Sequence, residues 1–407
     1  MQYKLVNLGI IFDQLLITGG GYQQALNIVI AINKSKDKKH YLPKFFTIYA
    51  ENIPILNSYG IHAEFIKISK FGRAWLKIRS MIYSSFILKC IGPNKFEKCL
   101  INKDIDLVYF LSPSGWSNYL EKLNYIITIW DSCHRDAPEF PEVYEGRIFE
   151  KREANFNKFL TRAVAVIVDS KLGKENVIRR YMVDESRIHI LPFSPAFSTQ
   201  NIEKTYNYDI KNKFKVPNDY IFYPAQFWAH KNHAYVLQGV KALKDEYNIN
   251  VSVVFSGGDA GNLNYIKSLT HDLGLSNQVH FLGFVDNEDI INLYKGSIAL
   301  VMPTYFGPTN IPPLEAFILG TPVLYSDLPG LRDQVGDSAL LLDLNEPASM
   351  SKHIYNLIKN PELREKLVDS GKRRMNYSNQ GAHNEMIGLI CSEFQVKMFC
   401  WKNRGSE

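Results

Sequence analysis

Short uninterrupted apolar runs alternate along this chain with longer stretches whose apolar positions recur at helical spacing. Runs apolar on both faces are what a parallel sheet covered by helices requires, and such strands join through right-handed crossovers. In the first half the runs predict strands at 3–10, 44–49, 63–66, Leu107–Leu111, Tyr125–Trp130, Ala163–Asp169 and Arg187–Leu191. After the first strand comes Thr18-Gly19-Gly20-Gly21, then an amphipathic helix turning Ala25, Leu26, Ile28, Val29 and Ile32 inward. Between Pro192 and Asn218 the period disappears and Ser, Pro, Asn and Lys take over, as in a linker. Beyond it strands 220–226, 250–256, 279–284, Ile298–Met302, Pro322–Tyr325 and Ala339–Leu342 alternate with helices 232–246, 262–273, 287–295, 347–359 and 361–375. The pattern predicts two α/β domains, 1–200 and 201–378, with a final helix at 379–401 returning to the first.

Chemistry concentrates in residues 297–327, where a strand runs into the turn Pro303–Pro308, a helix opens at Ile311–Pro313, and another strand follows. A helix start presents unpaired N–H groups and the positive end of its dipole to an anion. Glu315 sits one turn further in, leaning back toward the start, where a carboxylate can hydrogen-bond a sugar diol beside a phosphate. Alone, the same pattern also describes an ordinary helix with a charge near its start. Two more turns discharge at the same sheet edge: Gln226–Asn232 with Lys231, and Gly257-Gly258. Together they describe a site for a nucleotide diphosphate-sugar.

The length of 407 residues suits two cores rather than one, and 46% hydrophobic with 22% charged residues excludes extended disorder. A net charge of +6 suits an anionic ligand or membrane surface without calling for nucleic acid. The five cysteines, Cys90, Cys99, Cys133, Cys391 and Cys400, are scattered with no CxxC pair, and read as reduced thiols of a cytoplasmic protein. The N-terminus reads as a strand rather than a signal peptide, and no run is long and apolar enough to cross a membrane. Residues 70–103 stand apart: Lys70, Arg73, Lys77, Arg79, Lys89, Lys95, Lys98 and Lys103 interleave with Trp75, Leu76, Ile78, Met81, Ile82, Phe86, Ile87 and Leu88. That composition fits either a helix lying on an anionic membrane or a core-packing helix with a solvated basic face.

The second half resembles the retaining glycosyltransferases of family 4. Their turn G-R-L-x-x-x-K corresponds to Ala225-Gln226-Phe227-Trp228-Ala229-His230-Lys231, with the lysine in place and Gln226 at the arginine position. Their signature E-G-F-G-L-x-x-L-E-A corresponds to Gly307-Pro308-Thr309-Asn310-Ile311-Pro312-Pro313-Leu314-Glu315-Ala316, keeping the second glutamate and replacing the first by Gly307. The pair of motifs is similar to a branch associated with bacterial surface polysaccharides, O-antigen or capsule. The resemblance implies the GT-B architecture, two facing Rossmann-like domains with a cleft between them. It implies diphosphate contacts from Lys231, Gln226, Gly20 and the N–H groups at Thr309, Asn310 and Ile311, ribose contact from Glu315, and nucleobase contact near Gly283, Phe284 and Val285.

The family's T-x-H-D region corresponds to Thr128-Ile129-Trp130-Asp131-Ser132-Cys133-His134, so Trp130 takes the usual histidine position and His134 is the nearest imidazole. His134 and Asp131 are therefore the catalytic candidates, either of which can carry the role. The implied enzyme is a metal-independent, retaining hexosyltransferase without cofactor, peripheral on the inner face of the membrane. It moves a hexose or deoxyhexose such as mannose or rhamnose to a lipid-linked or oligosaccharide acceptor. A GT-B nucleotide-sugar epimerase and a non-catalytic scaffold of a polysaccharide assembly complex are the alternatives. No DxD motif stands at a strand end; Asp104-Ile105-Asp106 precedes its strand.

Overall fold

The structure, a computed structural model, describes residues 4–16, 20–35, 39–82, 88, 91, 94–196, 209–217, 219–376 and 381–401. Gly19, Phe86, Ile87, Lys89, Cys90 and much of the expected linker lie outside the described residues. The chain divides into two compact units. The first comprises Met1–Ser132, Glu150–Pro192 and Gln380–Glu407; the second comprises Cys133–Phe149 and Phe193–Asn379.

The first unit is built on β1 (Val6–Phe12), β2 (Tyr41–Thr47), β3 (Ala63–Phe65), β4 (Leu107–Phe110), β5 (Asn124–Ile129), β6 (Ala165–Val168) and β7 (Ile188–Ile190). They form one parallel sheet in the order β3-β2-β1-β4-β5-β6-β7, with β1 pairing β2 from Val6↔Tyr41 to Phe12↔Thr47. Leu8, Ile10, Ile11 and all of β4 are buried, as uninterrupted apolar runs require. Glu97 is a charged residue buried beside this sheet. Its Oε1 accepts the backbone N–H groups of Glu121, Lys122 and Leu123 at 2.8, 2.7 and 2.9 Å, which fixes the approach to β5. The helix Ala382–Met398 does return to this unit, packing on the helix Gly20–Lys34, with Asn384 bonded to the Tyr41 hydroxyl and Gln395 to the carbonyl of Lys4.

Residues 70–103 are not one element. The helix Lys70–Arg79 starts at Ser69, whose hydroxyl takes the N–H of Gly72, and a separate helix Lys95–Ile101 starts at Asn94, whose side chain takes the N–H of Glu97. Such caps supply acceptors for orphan donors, so each marks a fresh start.

The second unit carries β8 (Tyr220–Pro224), β9 (Ser252–Ser256), β10 (Val279–Phe281), β11 (Leu300–Met302), β12 (Val323–Ser326) and β13 (Leu340–Leu342). These form a second parallel sheet in the order β10-β9-β8-β11-β12-β13. Several strands are shorter than their apolar runs because their carboxyl ends leave the sheet early. After Pro224 the chain keeps a single bridge, Phe227 with Asp259, and Gly257 makes this possible. A Cβ on Gly257 would collide with the carbonyl of Ala225 and stand 2.8 Å from the nitrogen of Gln226.

Both sheets reverse their order once, between β1 and β4 and between β8 and β11. At such a point the loops diverge to opposite faces and leave a crevice beyond the carboxyl ends of the strands. The segment Cys133–Phe149 follows β5 in sequence yet packs on the loops beyond β8 and β11, with the Phe140 ring 5.5 Å from Tyr305 and 5.3 Å from Phe306.

Candidate functional site

The crevice of the second unit is formed by two loops, Ala225–Asn232 after β8 and Pro303–Ile311 after β11. The first makes a short 3₁₀ turn at Ala229–Lys231, reverses at Asn232 in the left-handed region (φ 55°), and enters the helix His233–Tyr247. Tyr223, buried in β8, donates its hydroxyl to the carbonyl of Lys231 at 2.8 Å and so ties the turn to the sheet. Lys231 reaches across to the second loop, Nζ donating to Asn310 Oδ1 at 3.3 Å. An ammonium is a strong partner for a phosphate.

Asn310 is clamped from below. Its N–H donates to Gln334 Oε1 at 2.9 Å, its amide to the Tyr325 hydroxyl at 2.7 Å, and its carbonyl accepts from Gln334 Nε2. The clamp corrects one expectation: the Asn310 N–H is committed to Gln334, so of the three expected donors only those of Thr309 and Ile311 stay in question. The helix Pro312–Leu319 begins with two prolines, which lack N–H groups, and Leu314 already donates to the carbonyl of Ile311 at 2.9 Å. Donor capacity at this start therefore lies in the turn before the helix rather than in its first residues.

Glu315 points into the unit. Oε2 accepts the Tyr294 hydroxyl at 3.0 Å, and the backbone N–H of Ala196 also bonds to the carboxylate. Burial pushes its pKa up to about 7, against the opposing pull of both donors. A carboxylate has room for about four hydrogen bonds, so two further hydroxyls can still be accepted.

Gly307 explains the missing first glutamate. It lies at φ 102°, and a Cβ would stand 2.8 Å from the Thr309 carbonyl oxygen and 3.0 Å from Asn310 Nδ2. Its N–H donates to Cys133 Sγ at 3.1 Å. A glutamate does not fit this backbone, so the loop differs in conformation as well as in side chain.

Sequence reasoning missed a second anchor. Glu142 Oε1 accepts both the backbone N–H of His230, at 2.9 Å, and its Nδ1, while the His230 ring stacks on Phe306 with centroids 4.1 Å apart. Burial alone would raise the Glu142 pKa; the two bonds from His230 outweigh it and hold the carboxyl below its ordinary value. The contact joins segments 88 positions apart, and no local pattern announces it.

The remaining expected residues are dispersed. Gln226 is exposed, its Oε1 accepting from Trp228 Nε1 at 3.0 Å. Gly283 sits at φ 67° and accepts from the N–H of Gly257, Phe284 is 72% exposed, and Val285 is buried. His134 is fully buried, its ring edge-on to Phe149. Asp131 belongs to the first unit and pairs with Arg152 at 2.7 Å. Gly20 opens its helix in that same unit.

Residues 206–374 match the family model described as Glycosyl transferases group 1. The matched region thus covers both crevice loops of the second unit. Among curated relatives, the O-antigen chain mannosyltransferase RfbU of Salmonella typhimurium is 28% identical over 219 residues, 53% of this chain and 55% of its own. The O-antigen chain mannosyltransferase B of Escherichia coli is 24% identical over 249 residues, 59% of this chain and 62% of its own. The chain therefore spans little more than half the length of these relatives. Among solved structures, Anabaena HepE in complex with UDP-glucose superposes with a TM-score of 0.70 at 15% identity, covering 95% of this chain and 99% of that one. With two parallel α/β units, the chain has the GT-B fold of its structural neighbours.

Proposed function

We propose that the protein is a glycosyltransferase that moves a hexose or deoxyhexose, such as mannose or rhamnose, from a nucleotide-diphosphate sugar to a lipid-linked or polysaccharide acceptor. The observation that supports the reading is the β8/β11 crevice, with Lys231 bonded to Asn310 of the Thr309–Ile311 turn and Glu315 in the helix that follows, all inside the region matched by the glycosyltransferase model. In it, Lys231 and the turn meet the departing diphosphate, where fixed charge and N–H groups stabilise the developing negative charge without a metal. Glu315 takes the ribose diol and Phe284 lies beside the nucleobase. Support for the sugar chemistry comes from the O-antigen mannosyltransferases among the relatives. Retention of configuration and family 4 membership rest on the quoted motifs, and His134 or Asp131 remains the catalytic candidate of that resemblance.

The test is transfer and donor hydrolysis with GDP-, UDP- and dTDP-sugars, each with and without EDTA. Binding of at least one nucleotide sugar and turnover unaffected by chelation are expected; a folded protein that binds none overturns the proposal. Gly307 favours one second reading, a non-catalytic scaffold, because its backbone leaves no place for the family's first glutamate. Nucleotide binding without any transfer or hydrolysis selects it.

Peripheral membrane attachment is part of the proposal. The helix Lys70–Arg79 buries Leu76 and Arg79, and turns Phe71 (90% exposed), Trp75 (47%) and Ile78 (56%) outward at i, i+4 and i+7 beside Lys70, Arg73 and Lys77. Large apolar side chains flanked by cations suit the headgroup boundary of an anionic bilayer. No helix among the described residues is long and apolar enough to cross a membrane. Sedimentation with phosphatidylglycerol vesicles should fall steeply with salt and with a Phe71→Ser/Trp75→Ser variant; binding that ignores both refutes the attachment.

A further inference from the structure

One residue of the second unit is gripped from three sides. His230 gives its backbone N–H, at 2.9 Å, and its ring Nδ1 to Glu142 Oε1. Its carbonyl accepts the N–H of Tyr305 at 2.9 Å, and its ring lies nearly flat on Phe306 with centroids 4.1 Å apart. Glu142 stands in the single-turn helix Pro141–Tyr144 of the segment Cys133–Phe149, whereas Tyr305 and Phe306 belong to the loop after β11. The pair is shielded from water, with 12% of the His230 side chain and 10% of the Glu142 side chain exposed. A carboxylate so placed holds its donors firmly, and withdrawing one partner leaves the other uncompensated.

His230 is followed directly by Lys231, whose Nζ donates to Asn310 Oδ1. Consecutive Cα atoms stand about 3.8 Å apart, so a displaced His230 carries the root of the lysine side chain with it. The segment also meets the second loop at Gly307, whose N–H donates to Cys133 Sγ in the turn that leads to Asn310. Both ends of the Lys231–Asn310 bond are thus steadied by the same segment, one through His230 and the other through Gly307. The position of this ammonium matters here because Gln226 stands where the family motif has an arginine, and attraction to a phosphate falls with distance.

We propose that Glu142 is a positioning residue of the donor site: through His230 it fixes where the Lys231 ammonium meets a nucleoside diphosphate. Under the donor-site reading of the crevice, on which this role rests, the nucleoside is assigned to Glu315 and to the stretch near Phe284. The effect of Glu142 therefore falls on the diphosphate and spares the nucleoside.

The probes are UDP, GDP and dTDP, titrated into the full chain by calorimetry, and their nucleosides, followed by saturation-transfer NMR. Glu142→Gln should weaken the best-bound diphosphate about tenfold and leave its nucleoside within about twofold. In a Lys231→Met background the same substitution should cost the diphosphate less than about twofold, because both residues act on one contact. His230→Phe keeps the ring on Phe306 and the backbone N–H while removing the ring bond to Glu142. It should weaken the diphosphate about threefold, and it stays informative if Glu142→Gln misfolds. Equal losses for diphosphate and nucleoside, or a cost undiminished by Lys231→Met, would make Glu142 a structural anchor only and overturn the proposal. Diphosphate affinity unchanged in both variants overturns it too and leaves the donor-site reading standing. Failure of the unaltered chain to bind any of the three diphosphates sinks that reading and the positioning role together.

Discussion

Replacing Glu315 by Gln should stabilise the second unit at alkaline pH while weakening its hold on a nucleotide sugar. The carboxyl titrates near 7 in the fold against an ordinary 4.5, because burial opposes its charge. Its folded-state pKa is raised, so the native protein binds the proton more tightly than the unfolded chain does. The stabilising contribution of the neutral acid is fully present below pH 4.5, falls as the unfolded form ionises, and is gone once pH passes 7. From 4.5 to about 7 is about 2.5 decades in proton affinity, which converts to on the order of 3 kcal/mol. Glutamine never ionises and escapes this cost. Its amide oxygen can still accept from Tyr294, but its NH₂ cannot also accept from Ala196, a loss of about 1 kcal/mol. The variant should thus be about 2 kcal/mol more stable than the parent at pH 8 and about 1 kcal/mol less stable at pH 4.5, with the order reversing between them. Urea denaturation of the full chain at both pH values, with calorimetry to resolve the units, gives the comparison. In the same variant, nucleotide-sugar affinity should fall by about 1 to 3 kcal/mol through the lost ribose acceptor. Parallel stability curves for parent and variant would show that Glu315 is not held neutral, and unchanged affinity would remove it from the donor site.

Substitutions at three further positions test the supports of the two units. Gly307→Ala places a Cβ at φ 102° and 2.8 Å from the Thr309 carbonyl, and should cost about 1 to 3 kcal/mol in urea denaturation; Gly307→Glu should do no better and should not raise activity, whereas a gain in turnover would mean that the loop adopts the family's conformation. Glu142→Ala removes the acceptor of two N–H groups of His230 and should destabilise the second unit by about 3 kcal/mol, with a smaller loss for Glu142→Gln; equal losses in both would show that the charge is irrelevant there. Glu97→Ala leaves three N–H donors without their shared acceptor and should destabilise the first unit by about 1 to 3 kcal/mol, measured by the same denaturation, with nucleotide affinity unaltered.

The alternation of apolar runs with helical periods was enough to place all thirteen strands of the described residues, because a strand buried on both faces must be apolar throughout and little else in an α/β chain is. It was not enough to place their ends. β8 stops at Pro224, while the expected strand runs to 226, because beyond Pro224 the chain turns Phe227 into the unit and keeps a single bridge. That Lys231 and Glu315 stand past the ends of β8 and β11 was legible, because each follows its strand at a spacing that any sheet edge would honour. The residues holding them, Asn310 with Gln334, Glu315 with Tyr294, and Glu142 with His230, are contacts between segments set by the topology, and a linear pattern carries no trace of those.

Gly307 shows where a motif and a backbone part company. Aligned to the family signature, it reads as a deleted carboxylate. In the structure the positive φ, the close approach to Thr309 and the N–H bonded to Cys133 belong to one turn, and that turn sets Asn310 over Gln334 and beneath Lys231. Restoring the glutamate would therefore disturb the turn that positions Asn310, the partner of Lys231, before its carboxylate could reach a sugar. If transfer occurs here, the donor sugar must be held by groups other than a carboxylate at position 307, so the chain departs from the motif in how the sugar is gripped as well as, at Gln226, in how the diphosphate is.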